Sequence, residues 1–464
     1  SHVELNNTGR PPYSPYLMMK LIFYCYFNQI RSSRKMEREC TRNVELWWLI
    51  DRETPSYHTI STFRTYKLKD EKGKIVISHP KAFEEVFKRF RDLCNGVGLY
   101  GKSTIAVDGT KILAQNSKKK HISEEKLEKK LEHVEGKIEE YLEILEETKS
   151  SNSATAEEGA ILKSLQEFQN NKKKTLDQID YLKKAKENDK DLSQICYTDP
   201  DARMLPINNE GVMQIAYNVQ SSVDDLNCLI VDYKVKNCKD TELLSEMGLS
   251  AKEALEITEP FDLLADKGYH KSEYIHECGE HEIVTYVAVP KRKSNQKEKG
   301  FSKQDFKYRE EEDVYVCPNN ETLTTNGKWS ERENGDKYMH YSCKGSICAN
   351  CPFKEKCLSA SSLETRKGRQ IERNEFDKAA EENKSRVQNN REKYKRRQAI
   401  VEHPFGTIKR SWGYYYTLLK GTEKVSGEMA IIFTIYNLRR AINILGAKEL
   451  ILILKSCFFV KKPC

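Results

Sequence analysis

Two aspartates and a glutamate, far apart in the chain, are the residues whose settings first suggest chemistry. Asp108 closes the run Ser103-Thr104-Ile105-Ala106-Val107, Asp266 closes Phe261-Asp262-Leu263-Leu264-Ala265, and each leads into a glycine turn. Such runs read as buried strands, so both acids are expected at the C-terminal edge of a sheet, where α/β proteins bind ligands. Glu402 falls in the last long helical segment. Carboxylates so placed hold hard divalent cations, and two such ions serve phosphoryl transfer by activating the attacking oxygen and stabilising the leaving one. A single acid after a strand is ordinarily a cap or turn residue. The reading rests on the combination.

Around the third acid the chain reads Tyr394-Lys395-Arg396-Arg397-Gln398-Ala399-Ile400-Val401-Glu402-His403-Pro404-Phe405-Gly406-Thr407-Ile408-Lys409-Arg410. Glu402 and Lys409 are seven residues apart, nearly two helical turns, so an unbroken helix would set carboxylate and ammonium on one face, one for a metal and one for a phosphate. Pro404 is expected to kink or restart that helix. Lys393 to Arg397 and Lys409-Arg410 flank Glu402 with positive charge suited to a nucleic-acid backbone. Ser117 to Lys120 is a further basic run close after Asp108, read equally well as a DNA contact or as a solvated loop, and Tyr414, Tyr415 and Tyr416 suit core packing better than base stacking.

Cysteine usage points to a second ion. Of 14 cysteines, five lie between Cys317 and Cys357. Cys348 and Cys351 form a pair two residues apart, Cys357 follows closely, and Cys317 completes a candidate Zn²⁺ set, with Cys343 as its substitute. Four thiolates leave no open coordination position, so such a site is structural. The bland alternative is reduced cysteines packed as small apolar side chains.

These residues require a scaffold of several modules, as expected of 464 residues. Residues 14 to 67 read as a helical module opened by Ser14-Pro15, with Leu17, Leu21, Tyr24, Cys25 and Asn28 on one face. Its last helix, His58 to Arg64, suits a DNA groove, and Arg64 is its candidate contact, the bland alternative being a helical dimerisation or packing module. Phe83, Val86, Phe87, Phe90 and Leu93 predict an amphipathic helix. From Ile122 to Leu182 the pattern turns to heptads (Leu127, Leu131, Val134, Ile138, Tyr141, Leu145, then Ile161, Leu165, Phe168), an antiparallel helical hairpin broken by the polar stretch Lys149 to Glu158. Strands follow at Ile215 to Val219, Leu229 to Val235 and Ile283 to Val289, with a helix near Asp240 to Glu256 and a long helical segment from about Asn374 to Trp412. Strands alternating with helices give the α/β class.

Hydrophobic residues are 38% and charged residues 32% of the chain, and mean hydropathy is -0.73. That excludes a disordered chain and fits a densely charged globular surface. The net charge of +8 favours a polyanionic partner only mildly, because many charges cancel locally. The start lacks the basic-then-apolar pattern of a signal peptide, and reduced cysteines fit a cytoplasmic setting. Leu450 to Leu454, the longest apolar run near the end, is far short of the ~20 residues of a membrane span, so no membrane role is expected.

The order Val107-Asp108-Gly109-Thr110-Lys111, then Leu263-Leu264-Ala265-Asp266-Lys267-Gly268-Tyr269-His270, then the Glu402 segment closely resembles the DDE transposases of bacterial insertion sequences, in the group with a Tyr-Arg-Glu-Lys signature. Gly9 to Tyr13, Tyr197 to Arg203 and Tyr217 to Gln220 also look similar to that family. The resemblance implies a ribonuclease-H-like catalytic core in which Asp108, Asp266 and Glu402 hold Mg²⁺ or Mn²⁺ and Lys409 is the signature lysine. This chain departs from the signature in one respect. Gln398 stands four residues before the glutamate, where an arginine is usual, and Tyr394 and Arg397 each lie one position early. The implied division is an N-terminal helical DNA-binding module (1–70), a linker helix and first core strand (71–117), the inserted helical hairpin (118–195), the core continued (196–300), a cysteine-rich, zinc-ribbon-like insertion (301–370) and a C-terminal catalytic helix and tail (371–464). The implied partners are double-stranded DNA with terminal inverted repeats, target DNA and, for synapsis of two ends, a second copy of the chain. Tyr394, Arg397, Lys409, Arg410 and Arg64 are the candidate DNA contacts. Competing expectations are a metal-dependent nuclease that cuts without joining and a DNA-binding protein whose acids are relics.

Overall fold

The computed structural model describes residues 12–70, 73–115, 121–150, 155–188, 194–196, 198–207, 211–237, 240–290, 300–332, 335–365 and 367–459. Backbone contacts divide the chain into two units, one of Ser1–Gly101, Gly109–Cys238 and Val401–Cys464, the other of Lys102–Asp108 and Lys239–Ile400. The basic run Ser117 to Lys120 lies outside the described residues except for His121 beyond it, as do Gly9 to Pro11 and Tyr197.

The first unit opens with the expected helical module, Pro15–Phe27, Ser33–Cys40, Val44–Leu49 and Tyr57–Thr65. Its boundaries follow from capping: Asn43 accepts the Leu46 N–H and Ser56 the Thr59 N–H, while Pro15 occupies the first turn. The first helix buries Met18, Leu21, Ile22, Cys25 and Tyr26, so the inward face is rotated from the expected one and leaves Leu17 and Tyr24 at its margin. Helix His79–Gly96, capped by Ser78, buries Phe83 and Phe87 against helix Thr422–Leu445. Tyr233 is wedged between Phe87 and Phe433, with ring centroids 5.2 and 5.1 Å away. Tyr233 belongs to strand Ile230–Lys236, which pairs antiparallel with Met213–Asp224; that strand also pairs with Arg203–Pro206 and is hydrogen-bonded to Thr104–Leu113.

The heptads become two long helices, Glu124–Ser150 and Thr155–Asn188. Leu127, Val134, Leu145, Leu165 and Leu182 are buried in their seam. Ion pairs Lys186 to Glu124 and Lys172 to Glu135 fix an antiparallel hairpin. Its mixed charges point outward and pair locally, as a solvated surface does.

In the second unit the strand Phe261–Ala265 runs parallel to both Thr104–Val107 and Ile283–Val287. Its near-continuous burial is what a parallel strand covered on both faces requires. Helix Leu244–Ala254 packs closely on this layer because residue 248 is glycine: a Cβ there would lie 2.8 Å from Leu263 Cδ2. The cysteine-rich segment carries a five-stranded antiparallel sheet, Lys307–Arg309, Val314–Val316, Thr322–Glu331, Lys337–Ser342 and Gln370–Asn374, which the sequence reading did not anticipate. The long helical segment expected from Asn374 to Trp412 is instead two helices, Asp377–Asn389 and Arg391–Phe405, broken at Asn390, with Asn374 ending a strand. Asn383 anchors the first of them by bonding both the N–H and the carbonyl of Val287, at 2.9 and 2.8 Å. The architecture is mixed α/β.

Candidate functional site

Strand register brings the first two acids together. Pairing between the parallel strands ends at Val107 with Ala265, so Asp108 and Asp266 are the next residues on each, on backbones about 4.8 Å apart. The expectation that Asp108 ends its strand is corrected: the strand runs on from Thr104 to Leu113, and Gly109 stays extended because Thr110, Ile112 and Leu113 continue the β pattern. Asp108 therefore lies beside the point where its neighbour stops. Asp266 leaves its own strand there, and its Oδ1 accepts the Gly268 N–H at 2.6 Å, capping the turn Lys267–Tyr269. Gly268 is tightly hemmed in: a Cβ on it would stand 2.8 Å from Asp266 Oδ1 and 3.9 Å from Asp240 Oδ2. Asp240 is an acid the sequence reading passed over, because it opens a helix and looked like an ordinary first-turn residue.

Helix Arg391–Phe405 supplies the neighbours of the acid pair. Tyr394 and Arg397 are three residues apart and share a face. Arg397 Nη1 is 3.7 Å from Asp108 Oδ2, with both side chains largely covered. Half-buried Tyr394 has its phenol pushed up by burial and by the charge of Asp266, while the charge of Arg397 and hydrogen bonds from Arg397 and the Ala288 backbone act against this. One residue earlier, Lys393 pairs with Asp262 and lies 5.4 Å from the centroid of the Tyr286 ring, which docks the helix across both parallel strands. The one-position offset of Tyr394 and Arg397 thus leaves both of them at the aspartates.

Glu402 lies further along the same helix, on an exposed position in the first unit. Pro404 sits inside the helix without stopping it; beyond Phe405 the winding widens into a π turn, Gly406–Ser411. A wider turn accommodates the hydrogen bond proline cannot donate. The seven-residue spacing therefore does not place Glu402 and Lys409 on one regular α-helical face. Lys409 Nζ donates to Thr110 Oγ1 at 3.0 Å and to the Lys111 carbonyl at 3.2 Å, tying the turn to the strand that bears Asp108. Burial, then the charges of Arg410 and Lys111, push the Lys409 ammonium down. Arg410 is exposed.

Arg64 is a correction to the expected DNA contacts. It is 3% exposed, and its guanidinium donates to Tyr26 Oη, the Arg31 carbonyl and Ser33 Oγ, each at 3.2 Å, so it ties helices of its own module together. Among the tyrosines, Tyr414 is buried under Arg31, 4.3 Å from its centroid, as packing requires. Two acids of the segment Tyr197 to Arg203 also have a structural place. Asp199 Oδ1 accepts from Tyr217 Oη at 2.7 Å and from the Gly421 N–H at 3.1 Å, and Asp201 Oδ2 accepts the Thr422 N–H at 2.7 Å. They satisfy the open amides that start helix Thr422–Leu445.

Cys317, Cys343, Cys348, Cys351 and Cys357 line one small cavity in the second unit. Among the described residues no three His, Cys, Asp or Glu side chains are gathered tightly enough to hold an ion as they stand. Of the expected acidic triad, the structure brings together Asp108 and Asp266.

Residues 316–442 match the family model of a transposase DDE domain, and residues 1–66 match that of a transposase domain, DUF772. The first match takes in Tyr394, Arg397, Glu402 and Lys409 and stops short of Asp108 and Asp266. No curated protein matches the chain.

Proposed function

Since the chain is a DDE-type transposase of an insertion sequence, we propose that it cleaves the ends of its element and joins the freed 3′ hydroxyl to target DNA at a site formed by Asp108, Asp266 and Glu402. The observation that carries this reading is the side-by-side placement of Asp108 and Asp266 with Arg397 against them. Two half-buried carboxylates on neighbouring strands repel one another, and one guanidinium only partly offsets them, so the donor set fits a hard divalent cation. Mg²⁺ or Mn²⁺, when bound, supplies the Lewis acid that activates one oxygen and stabilises the other in each displacement.

The chain's own residues divide the remaining work. Asp108 and Asp266 would hold one ion, and Glu402 would help hold a second. Tyr394 orients Arg397, whose fork is suited to a phosphate once an ion neutralises Asp108. Lys409 fixes the π turn to the Asp108 strand, and exposed Arg410 and Arg396 offer charge to the DNA backbone. Parallel strands with an acid on each just past the point where their pairing ends, packed by helices, support the ribonuclease-H-like reading of the core. The helical module at 1–70 takes the role of end binding, and synapsis of two ends calls for a homodimer. Zn²⁺ belongs to the cysteine-rich insertion and not to this site. No helix among the described residues is long and apolar enough to cross a membrane.

Asp108→Ala and Asp266→Ala should each abolish Mg²⁺-dependent cleavage of an inverted-repeat end while leaving end binding largely intact. Retained cleavage in both variants overturns the assignment. A precut 3′ end that is joined to target DNA supports transfer; hydrolysis without joining would indicate a nuclease.

A further inference from the structure

The insertion at 301–370 has a small apolar core of its own. That core consists of Phe306, Tyr315, Leu323, Met339, Tyr341 and Ile371, with Cys343 and Cys348. Between strands Lys337–Ser342 and Gln370–Asn374 the described residues form three helices of four or five residues, Gly345–Ala349, Lys354–Cys357 and Ala360–Glu364. Helices so short have no stability of their own, and segments like this are usually fastened by a cross-link or a metal. Five sulphurs, with Glu321, Lys354 and Arg369 and three aliphatic side chains, line one cavity of about 20 Å³ there, room for a single water-sized sphere.

Backbone amides are already aimed at two of those sulphurs. In the turn after Cys317, the Asn319 and Glu321 N–H groups donate to Cys317 Sγ at 3.3 and 3.4 Å, and the Arg369 N–H donates to Cys348 Sγ at 3.4 Å. A thiol is a weak acceptor and a thiolate a strong one, so donors directed at sulphur favour the ionised form and are the outer-shell support that metal ligands need. Asn320 adopts φ 59° to close the Cys317 turn, and the Cys351 N–H bonds the Cys348 carbonyl at 3.2 Å, curling that pair around the cavity. Arg369, fixed to the carbonyls of Cys357 and Phe301 at 3.0 and 3.2 Å, sets a cation beside the cavity.

We propose that Cys317, Cys348, Cys351 and Cys357 bind one structural Zn²⁺ as a tetrathiolate, with Cys343 a neighbouring thiol outside the coordination shell. Cys343 is distinguished by its backbone, which follows directly on strand Lys337–Ser342 and donates to the Arg369 carbonyl at 3.0 Å, in place of a turn or short helix. Binding releases four thiol protons, leaves zinc divalent and the site with a net charge of −2, which Arg369 and the directed amides offset. The sulphurs must close by side-chain rotation to about 2.3 Å from the ion.

The test uses the full-length chain purified without chelator, with metal measured by elemental analysis. One zinc per chain is expected, falling to background in Cys351→Ser and Cys357→Ser and unchanged in Cys343→Ala and in Cys278→Ala, a buried cysteine elsewhere. Because ligand variants can misfold, the wild-type chain is also loaded with Co²⁺, whose visible spectrum should carry sulphur-to-cobalt charge transfer and the intense bands of a tetrahedral thiolate site. Absence of zinc from wild type together with an octahedral cobalt spectrum overturns the proposal. Loss of zinc in Cys343→Ala equal to that in Cys351→Ser overturns the ligand assignment.

Discussion

Arg397 lies against Asp108, its Nη1 3.7 Å from Oδ2, and this one ion pair links the helix bearing Glu402 to the strand bearing the first acid. A guanidinium beside a metal-binding carboxylate has two effects: it lowers the cost of holding two acids together, and it competes with the ion for one of them.

Arg397→Ala should therefore separate those effects. In chelator the variant should be less stable than wild type by about 1 kcal/mol, the scale of a partly exposed pair. Adding Mg²⁺ should raise its Tm more than it raises that of wild type, while end cleavage falls. Calorimetry with and without Mg²⁺ measures this; an equal Tm rise in both proteins speaks against an ion at Asp108.

Gly268→Ala tests the Asp266 turn. The new Cβ would stand 2.8 Å from Asp266 Oδ1, so the carboxylate must shift by several tenths of an ångström. Misplacement of catalytic groups on the ångström scale costs on the order of 100-fold in rate. Cleavage should fall by about 10- to 100-fold with a small change in Tm. Unchanged cleavage would mean that the present position of Asp266 is not the working one.

Lys409 gives a pH dependence with a defined sign. Its folded-state pKa lies below the ordinary 10.5, with burial the largest cause, so the unfolded chain binds the proton more readily. Stability contributed at this position thus rises with pH as the proton leaves on the way toward that value. Wild type should gain stability relative to Lys409→Met as pH is raised in that alkaline range. At neutral pH Lys409→Ala should still be the less stable protein, by about 1–3 kcal/mol, because Thr110 Oγ1 and the Lys111 carbonyl lose their donor.

Asp199 is a structural acid. Asp199→Ala strips partners from Tyr217 Oη and the Gly421 N–H and should destabilise by about 1–3 kcal/mol. Asp199→Asn keeps an acceptor and removes a charge whose burial raises its pKa, so it should be close to neutral at pH 7. Denaturant unfolding distinguishes them; equal losses would show that the charge itself is needed.

The parts of this molecule legible in its sequence are those with strong periodicity. Phe261 to Ala265 is apolar enough to announce a buried parallel strand, and Leu127, Val134 and Leu145 announce a helical seam. The strand past Asp108 was obscured because Gly109 and Lys111 look like turn residues, whereas a neighbouring strand holds them extended. The sheet of the insertion was hidden by Thr322–Glu331, whose mostly exposed residues show no alternation. Arg64 reads as a surface cation, and only tertiary partners, Tyr26 Oη and the Arg31 carbonyl, bury it. Tyr394 and Arg397 stand one position off their expected spacing, yet three-residue separation on a helix is what brings them to the aspartates.

The most direct test of the acidic site replaces Mg²⁺ with Fe²⁺ in the full-length protein bound to an inverted-repeat end, and maps where hydroxyl radicals cut the polypeptide. The account predicts metal-dependent cuts near Asp108, Asp266 and Glu402 together, all lost in Asp266→Ala. Cuts near the two aspartates with none near Glu402, DNA bound, would contradict a shared three-carboxylate site.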